Sequence, residues 1–164
     1  MSERAEAIMD AAERRIREAG YNGFSFRDLA ADVGIKSSSV HHHFPTKEAL
    51  AVAVARRYAE RCEAAFAARQ AAGAAPVEAW RHVFRQALRE DGRMCLCGVL
   101  GAESSSLPPE VQAEARRFFL RGLDSLARPA AQAKQVFATL EGAMLLARSL
   151  GDPDSFDEAT AALA

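Results

Sequence analysis

The chain has 164 residues, of which 49% are apolar, a formal net charge of −1 and three cysteines. This length supports one compact domain or a small head fused to a larger body, and the apolar fraction is sufficient for a hydrophobic core. No apolar run approaches the roughly 20 residues that span a bilayer, and the charged, amphipathic start argues against a secretory signal. An odd number of cysteines disfavours a disulfide scaffold and fits the reducing cytoplasm.

Alanine is abundant and β-branched residues are sparse, which favours an all-α fold of about nine helices. The first helix is predicted over about Arg4–Ala19, where apolar residues such as Ile8, Ala12 and Ile16 recur at helical spacing. Glycine, proline and serine mark the breaks between later segments. The other helices are predicted over about residues 26–33, 37–44, 46–69, 76–90, 95–103, 108–127, 129–150 and 154–163.

Residues 25–44, with the sequence SFRDLAADVGIKSSSVHHHF, predict two short helices joined by a tight turn. Ser25 and Asp28 have the spacing of a capping box at the start of the first helix. Gly34 can adopt the left-handed conformation that ends it, and three serines open the second helix. A helix, a short turn and a second helix form the DNA-reading helix-turn-helix.

The charge pattern of this region is uneven. Residues 1–50 contain seven lysines and arginines against eight acids, so the segment as a whole is not basic. Residues 34–47 contain two lysines, three histidines and no acid, together with hydroxyl groups that can donate to phosphate. Nucleic-acid binding by this chain must therefore depend on a local surface rather than on total charge.

The pattern AEAIMDAA…GYNGFSFRDLAADVGIKSSSVHHHFPTKEAL resembles the DNA-binding head of the TetR/AcrR repressors. The similarity covers about residues 2–62 and implies a DNA-binding domain with its helix-turn-helix at 25–44. It also implies a body, residues 63–164, that binds an effector and dimerises through the last two long helices. We therefore expect a homodimeric, cytoplasmic transcriptional regulator, most simply a repressor. Its partners would be a palindromic DNA operator and an unidentified small molecule.

On DNA, the second helix of such a motif places its N-terminal residues against base edges. The family usually has Ser or Thr where Lys36 stands and Tyr where His41 stands, so operator preference should differ at these positions. Lys47, at the start of the fourth helix, is expected to hold a phosphate with free backbone N–H groups. The residues predicted to contact DNA are Ser25, Arg27, Lys36, Ser37, Ser38, Ser39, His41, His42 and Lys47.

The resemblance further implies an effector cavity in the body, where the large apolar residues favour an apolar or aromatic ligand with one or two polar anchors. The candidate pocket residues are Tyr58, Cys62, Phe66, Trp80, Phe84, Arg93, Leu96, Leu100 and Phe118, with His82 and Glu103 as further polar candidates. The last helices are alanine-rich, which permits close approach of a second copy. The predicted dimer residues are Phe137, Leu140, Met144, Ala147 and Phe156.

Three alternatives stay open at this stage. Cys95 and Cys97 could form a thiol-redox sensor, although their apolar surroundings also suit buried cysteines that only fill space. The chain could be a dimeric DNA-binding protein without an effector. A small enzyme is disfavoured, because no nucleophile and base stand at a recognisable spacing. No cofactor or metal is expected, since adjacent histidines point to different sides of a helix.

Overall fold

The computed structural model describes residues 2–127 and 129–163, and the described residues form nine α-helices, two short 3₁₀ turns and no strand. The all-α prediction is therefore confirmed. Most of the helix ends lie within about two residues of their predicted positions. The helices are α1 (Glu3–Ala19), α2 (Phe26–Val33), α3 (Ser37–His43), α4 (Lys47–Ala71), α5 (Pro76–Asp91), α6 (Leu96–Ala102), α7 (Pro109–Ser125), α8 (Ala130–Leu150) and α9 (Asp154–Thr160).

Local sequence explains the ends of the helix-turn-helix. The Ser25 hydroxyl accepts a bond from the Asp28 N–H, and the Asp28 carboxylate accepts the Ser25 N–H at 2.7 Å, which completes the predicted capping box. Gly34 ends α2 in the left-handed region, with φ of +72°. At the start of α4, the Thr46 hydroxyl accepts the Ala49 N–H at 3.0 Å.

The described chain divides into two compact units whose limits differ from the predicted boundary after residue 62. The first unit contains the residues up to Tyr58 together with Leu96–Arg116, and the second contains Ala59–Cys95 and the residues from Arg117 onward. The segment that contains α6 therefore packs with the N-terminal helices. Which unit binds an effector stays a prediction.

The first unit contains α1 to α3, the beginning of α4, α6 and the beginning of α7. A polar contact attaches the α6 segment to the N-terminal helices, because the Glu103 carboxylate accepts the Tyr21 N–H at 2.9 Å. Gly20 makes room for this carboxylate, since a Cβ there would lie 1.8 Å from Glu103 Oε1. Residues buried in this unit include Ile8, Ile16, Leu29, Val40, Leu50, Val54, Leu96, Leu100 and Val111.

The second unit is built around aromatic side chains. The Trp80 ring stacks on Phe66 at 4.9 Å and meets Phe137 edge to face at 5.2 Å. Its indole N–H donates to the Ser125 hydroxyl at 2.7 Å, so the polar edge of the buried ring has a partner. Gly122 leaves the space that the Phe137 ring fills, since a Cβ there would lie 2.2 Å from that ring. No helix among the described residues is long and apolar enough to cross a membrane.

Candidate nucleic-acid interface

Helix α3 presents a polar face and buries an apolar one. Val40 has no exposed surface and Phe44, just after the helix, is also buried, as the sequence pattern predicted. Ser38 and His42 are both exposed and lie four residues apart, so they share one side of the helix. Lys36 is exposed at the N-cap position, and Ser37 and Ser39 are half-buried beside it. This face has the donors expected of a reading helix.

His41 has a second role in the fold of the head. Its ring lies edge to face with Phe26 of α2, with the ring centroids 4.7 Å apart, while the residue stays exposed. The ring therefore links the two helices of the motif and leaves polar atoms at the surface.

The acids of α2 already have hydrogen-bond partners. Arg15 donates to both carboxylate oxygens of Asp32 at 2.6 and 2.8 Å, and Arg14 lies 3.6 Å from the same carboxylate. The hydrogen bond from Arg15 lowers the pKa of Asp32, and hydrogen bonds from Ser25 lower the pKa of Asp28. Both carboxylates are therefore ionised, and the pairing of Asp32 with arginine reduces its repulsion of a phosphate backbone.

Three acids of α1 share one arginine of α4. Arg57 of α4 lies 2.8 Å from both the Glu6 and the Asp10 carboxylates and 3.2 Å from that of Glu13. At least five of the eight acids counted in residues 1–50 thus have polar partners within the first unit. The sequence count alone did not show this, because ion pairs between helices cannot be read from composition.

Two predicted DNA contacts have other partners in the structure. The Lys47 ammonium donates to the Phe24 carbonyl at 2.7 Å and lies 4.5 Å from the centre of the Phe24 ring. Burial lowers the pKa of Lys47. The Ser25 hydroxyl donates to Asp28 as part of the capping box. Both side chains therefore stabilise the fold of the head, whereas Arg27 is exposed.

Comparison with known proteins agrees with this geometry. The sequence profile described as "Bacterial regulatory proteins, tetR family" matches residues 8–54. A TetR transcriptional regulator from Legionella pneumophila has 32% sequence identity and a TM-score of 0.84, covering 96% of this chain and 93% of that one. The chain belongs to the TetR family of transcriptional regulators.

Two further relatives extend the comparison. An uncharacterised HTH-type transcriptional regulator, YezE of Bacillus subtilis, is 29% identical over 150 residues, which are 90% of this chain and 71% of that protein. The HTH-type transcriptional repressor AcnR of Corynebacterium diphtheriae is 39% identical over 61 residues, which are 37% and 32% of the two chains. TetR-family members are regulators and not enzymes, which confirms that prediction.

The predicted pocket residues of this TetR-family regulator are divided between the two units. Tyr58, Leu96 and Leu100 lie in the first unit, and the other six lie in the second. The second unit contains a cleft of about 470 Å³, and Phe66 and Trp80 are the two predicted residues that line it. Sequence reasoning missed the residues at its polar edge, which are Glu63, Arg121, Asp124 and Ser125. Glu103, a further polar candidate, instead binds the Tyr21 N–H.

The five predicted dimer residues are all buried within their own protomer, none more than 5% exposed. Residues buried to this extent leave little surface for a second copy, and the dimer interface stays a prediction. Helix α8 has two apolar stripes. Phe137, Leu140, Met144 and Ala147, four of the five predicted dimer residues, lie on the stripe that packs inward. The exposed large apolar residues of this helix are instead Leu145, Leu146 and Leu150.

The cysteines do not form a disulfide, and all three are buried. Buried thiols are poorly accessible to oxidants, so this placement disfavours the thiol-redox alternative. No group of three or more metal-ligating side chains occurs in the described ranges.

Proposed function

We propose that this TetR-family protein is a sequence-specific repressor that reads its operator with α3 and is released by a small molecule. The observation that carries the proposal is the exposed face of Lys36, Ser38 and His42, next to α2 acids that already have partners. Lysine can donate to a guanine edge, and histidine can donate to a base or a phosphate. The repressor role is supported by the similarity of the head to AcnR. Such a protein would act in the cytoplasm.

We propose that the protein binds DNA as a homodimer, as TetR regulators do. Leu145, Leu146 and Leu150 are each more than half exposed on α8. Gly142 lies one turn before them, and a Cβ there would meet no atom within 4 Å, so close approach is possible. A second copy of α8 would cover this face around a two-fold axis. Two heads related by that axis would read a palindrome, which gives more specificity than one short helix.

The effector site that we propose is the cleft of the second unit. It is lined by two buried rings and four polar residues, the combination that small-molecule sites usually have. An effector acts as an inducer only if it prefers the conformation whose heads do not fit the operator, and such coupling is typically about 1–3 kcal/mol.

Selection of bound sequences from a random DNA pool tests the DNA-binding proposal. A palindromic site is expected, and a pool without enrichment would contradict the proposal. On the selected site, Lys36→Ala should weaken binding by about 1–3 kcal/mol and relax the preference at one base pair. Arg116→Ala, an exposed cation of α7, is the control that should leave that preference unchanged.

Two measurements separate the remaining parts of the proposal. Leu146→Glu with Leu150→Glu should shift the protein from dimer to monomer in sedimentation, because charges would be placed in the apolar face. A dimer that survives these changes would place the interface elsewhere. A reporter promoter that carries the selected site should be expressed more strongly when the protein is deleted, and weaker expression would indicate an activator.

A further inference from the structure

The two ends of the helix-turn-helix meet at one polar contact. Phe24 directly precedes residues 25–44, and Lys47, the first residue of α4, follows them after two positions. The Lys47 ammonium donates to the Phe24 carbonyl at 2.7 Å, so it joins the two ends of the segment. The ammonium also lies 4.8 Å from the centre of the Tyr21 ring. Residues 21–24, the entry loop, are thus the base on which α2 and α3 are set.

A carboxylate that follows α6 is the third member of this contact. The Glu103 carboxylate accepts the Tyr21 N–H at 2.9 Å. Gly20 admits the carboxylate at this place, because a Cβ there would collide with it. Burial lowers the pKa of Lys47, and the negative charges of Asp28 and Glu103 oppose part of this effect. Glu103 therefore acts on the entry loop and on the start of α4 together.

The backbone that carries this carboxylate is firmly held. Leu96 and Leu100 of α6 have no exposed surface within the first unit, and Leu107 just beyond is also buried. The Glu103 N–H donates to the Leu100 carbonyl at 3.2 Å, and the Glu103 carbonyl accepts the Ser106 hydroxyl at 2.9 Å. Because packing and hydrogen bonds fix its backbone, the Glu103 side chain offers the entry loop an acceptor at a defined place.

We propose that Glu103 is a positioning residue for DNA reading, whose carboxylate holds the entry loop, and with it α2 and α3, in the orientation that fits an operator. This inference rests on the proposed function, since it concerns how the reading helix is held. Without the carboxylate the Tyr21 N–H loses its acceptor, and the entry loop gains freedom that operator binding must remove. Operator affinity then falls, although loss of a negative charge alone would favour binding to a polyanion.

Three substitutions of Glu103 in the full-length protein separate reach from charge, with fluorescence anisotropy of the selected operator as the measurement. Glu103→Ala removes the acceptor and the charge. Glu103→Asp keeps the charge on a side chain that is one methylene shorter. Both should weaken operator binding about tenfold, the factor expected when about one more backbone residue must be ordered on binding. Glu103→Gln keeps the length and an oxygen acceptor, and it should bind within about threefold of wild type.

Two simpler roles of Glu103 predict different results. A role through charge alone would make Glu103→Ala and Glu103→Gln bind the operator more tightly and leave Glu103→Asp at wild-type affinity. A role in stability alone would lower the free energy of unfolding in urea and leave the operator affinity of the folded variants unchanged. Either result would overturn the proposal. Glu158→Ala, which removes an exposed acid of α9, is the charge control and should not weaken operator binding.

Gly20→Ala supplies an independent test, because its Cβ displaces the same carboxylate without altering it. In the wild-type background this substitution should weaken operator binding about as much as Glu103→Ala does. In the Glu103→Ala background the new Cβ meets no carboxylate, so the further loss should be less than about threefold. Fully additive losses in the double variant would overturn the proposal.

The same titrations distinguish failure of this inference from failure of the proposed function. Wild-type protein that binds its selected site, with Glu103→Ala binding that site equally well, would refute the positioning role and leave the proposed function supported. Wild-type protein without sequence-selective binding would contradict both.

Discussion

Replacement of Glu141 by glutamine should stabilise the protein at alkaline pH and change its stability little at acid pH. Glu141 lies on α8 with its stem partly exposed, yet neither carboxyl oxygen reaches solvent or has a hydrogen-bond partner of normal geometry among the described residues. Burial raises the pKa of Glu141 from 4.5 to about 7, and a weak interaction with the Cys95 thiol offsets only part of that effect.

The sign and the size follow from proton linkage. Because the pKa is higher in the folded protein, the folded state holds a proton that the unfolded state has released between about pH 4.5 and 7. The stability that this proton provides is complete at lower pH and is lost as the pH rises through 7. The interval between the two pKa values corresponds to at most about 3.5 kcal/mol, at about 1.4 kcal/mol per pH unit. Glutamine does not titrate, so its advantage over glutamate should grow by about 2–3 kcal/mol from pH 5 to pH 8.

Urea denaturation of both proteins at pH 5 and pH 8, at one fixed protein concentration, measures this change. Other titrating groups cancel in the difference between variant and wild type. Glu158→Gln on α9 removes an exposed carboxylate and should show little dependence on pH. A difference between Glu141→Gln and wild type that is the same at both pH values would refute the reasoning.

Three further predictions concern the first unit. Gly20→Ala should destabilise the protein by about 2 kcal/mol or more, because Ala must adopt a φ of +78° and displace Glu103 from the Tyr21 N–H. Gly73→Ala, where φ is also positive but space is open, should cost less in the same denaturation assay. Lys47→Met should lower the free energy of unfolding by about 1–2 kcal/mol through loss of the bond to the Phe24 carbonyl. An unchanged free energy of unfolding would contradict this structural role of Lys47. Its ammonium would then be available to contact a phosphate. If Arg27 supplies the phosphate contact of each head while Lys36 reads a base edge, log affinity should fall against log salt with a slope near −2 per dimer, at about −0.9 per contact. A slope twice as steep would require other cations.

The sequence predicted the local features of this fold well, because local signals determine them. Ser25 with Asp28 predicted a helix start, and Gly34 predicted a helix end, since each depends on residues within one turn. The Glu103–Tyr21 contact could not be predicted, because 82 positions separate its members. The inward packing of the predicted dimer residues was not predictable for a different reason. Helix α8 is apolar on both stripes, so periodicity alone could not tell that Leu140 packs inward while Leu146 is exposed.

Ion pairs between helices explain how a head with eight acids and seven cations can suit a polyanion. The arginines nearest the acids, Arg15 and Arg57, are held by carboxylates of α1 and α2 and cannot contribute a free charge to DNA. Their pairing nevertheless reduces the repulsion that those carboxylates would exert on phosphate. What remains exposed near α3 is Lys36, Arg27 and the polar side chains of the helix. With few phosphate contacts, non-specific affinity should be low, so a larger share of operator binding must come from base edges. The identity of Lys36 and His42 then matters more for operator choice than the total charge of the head.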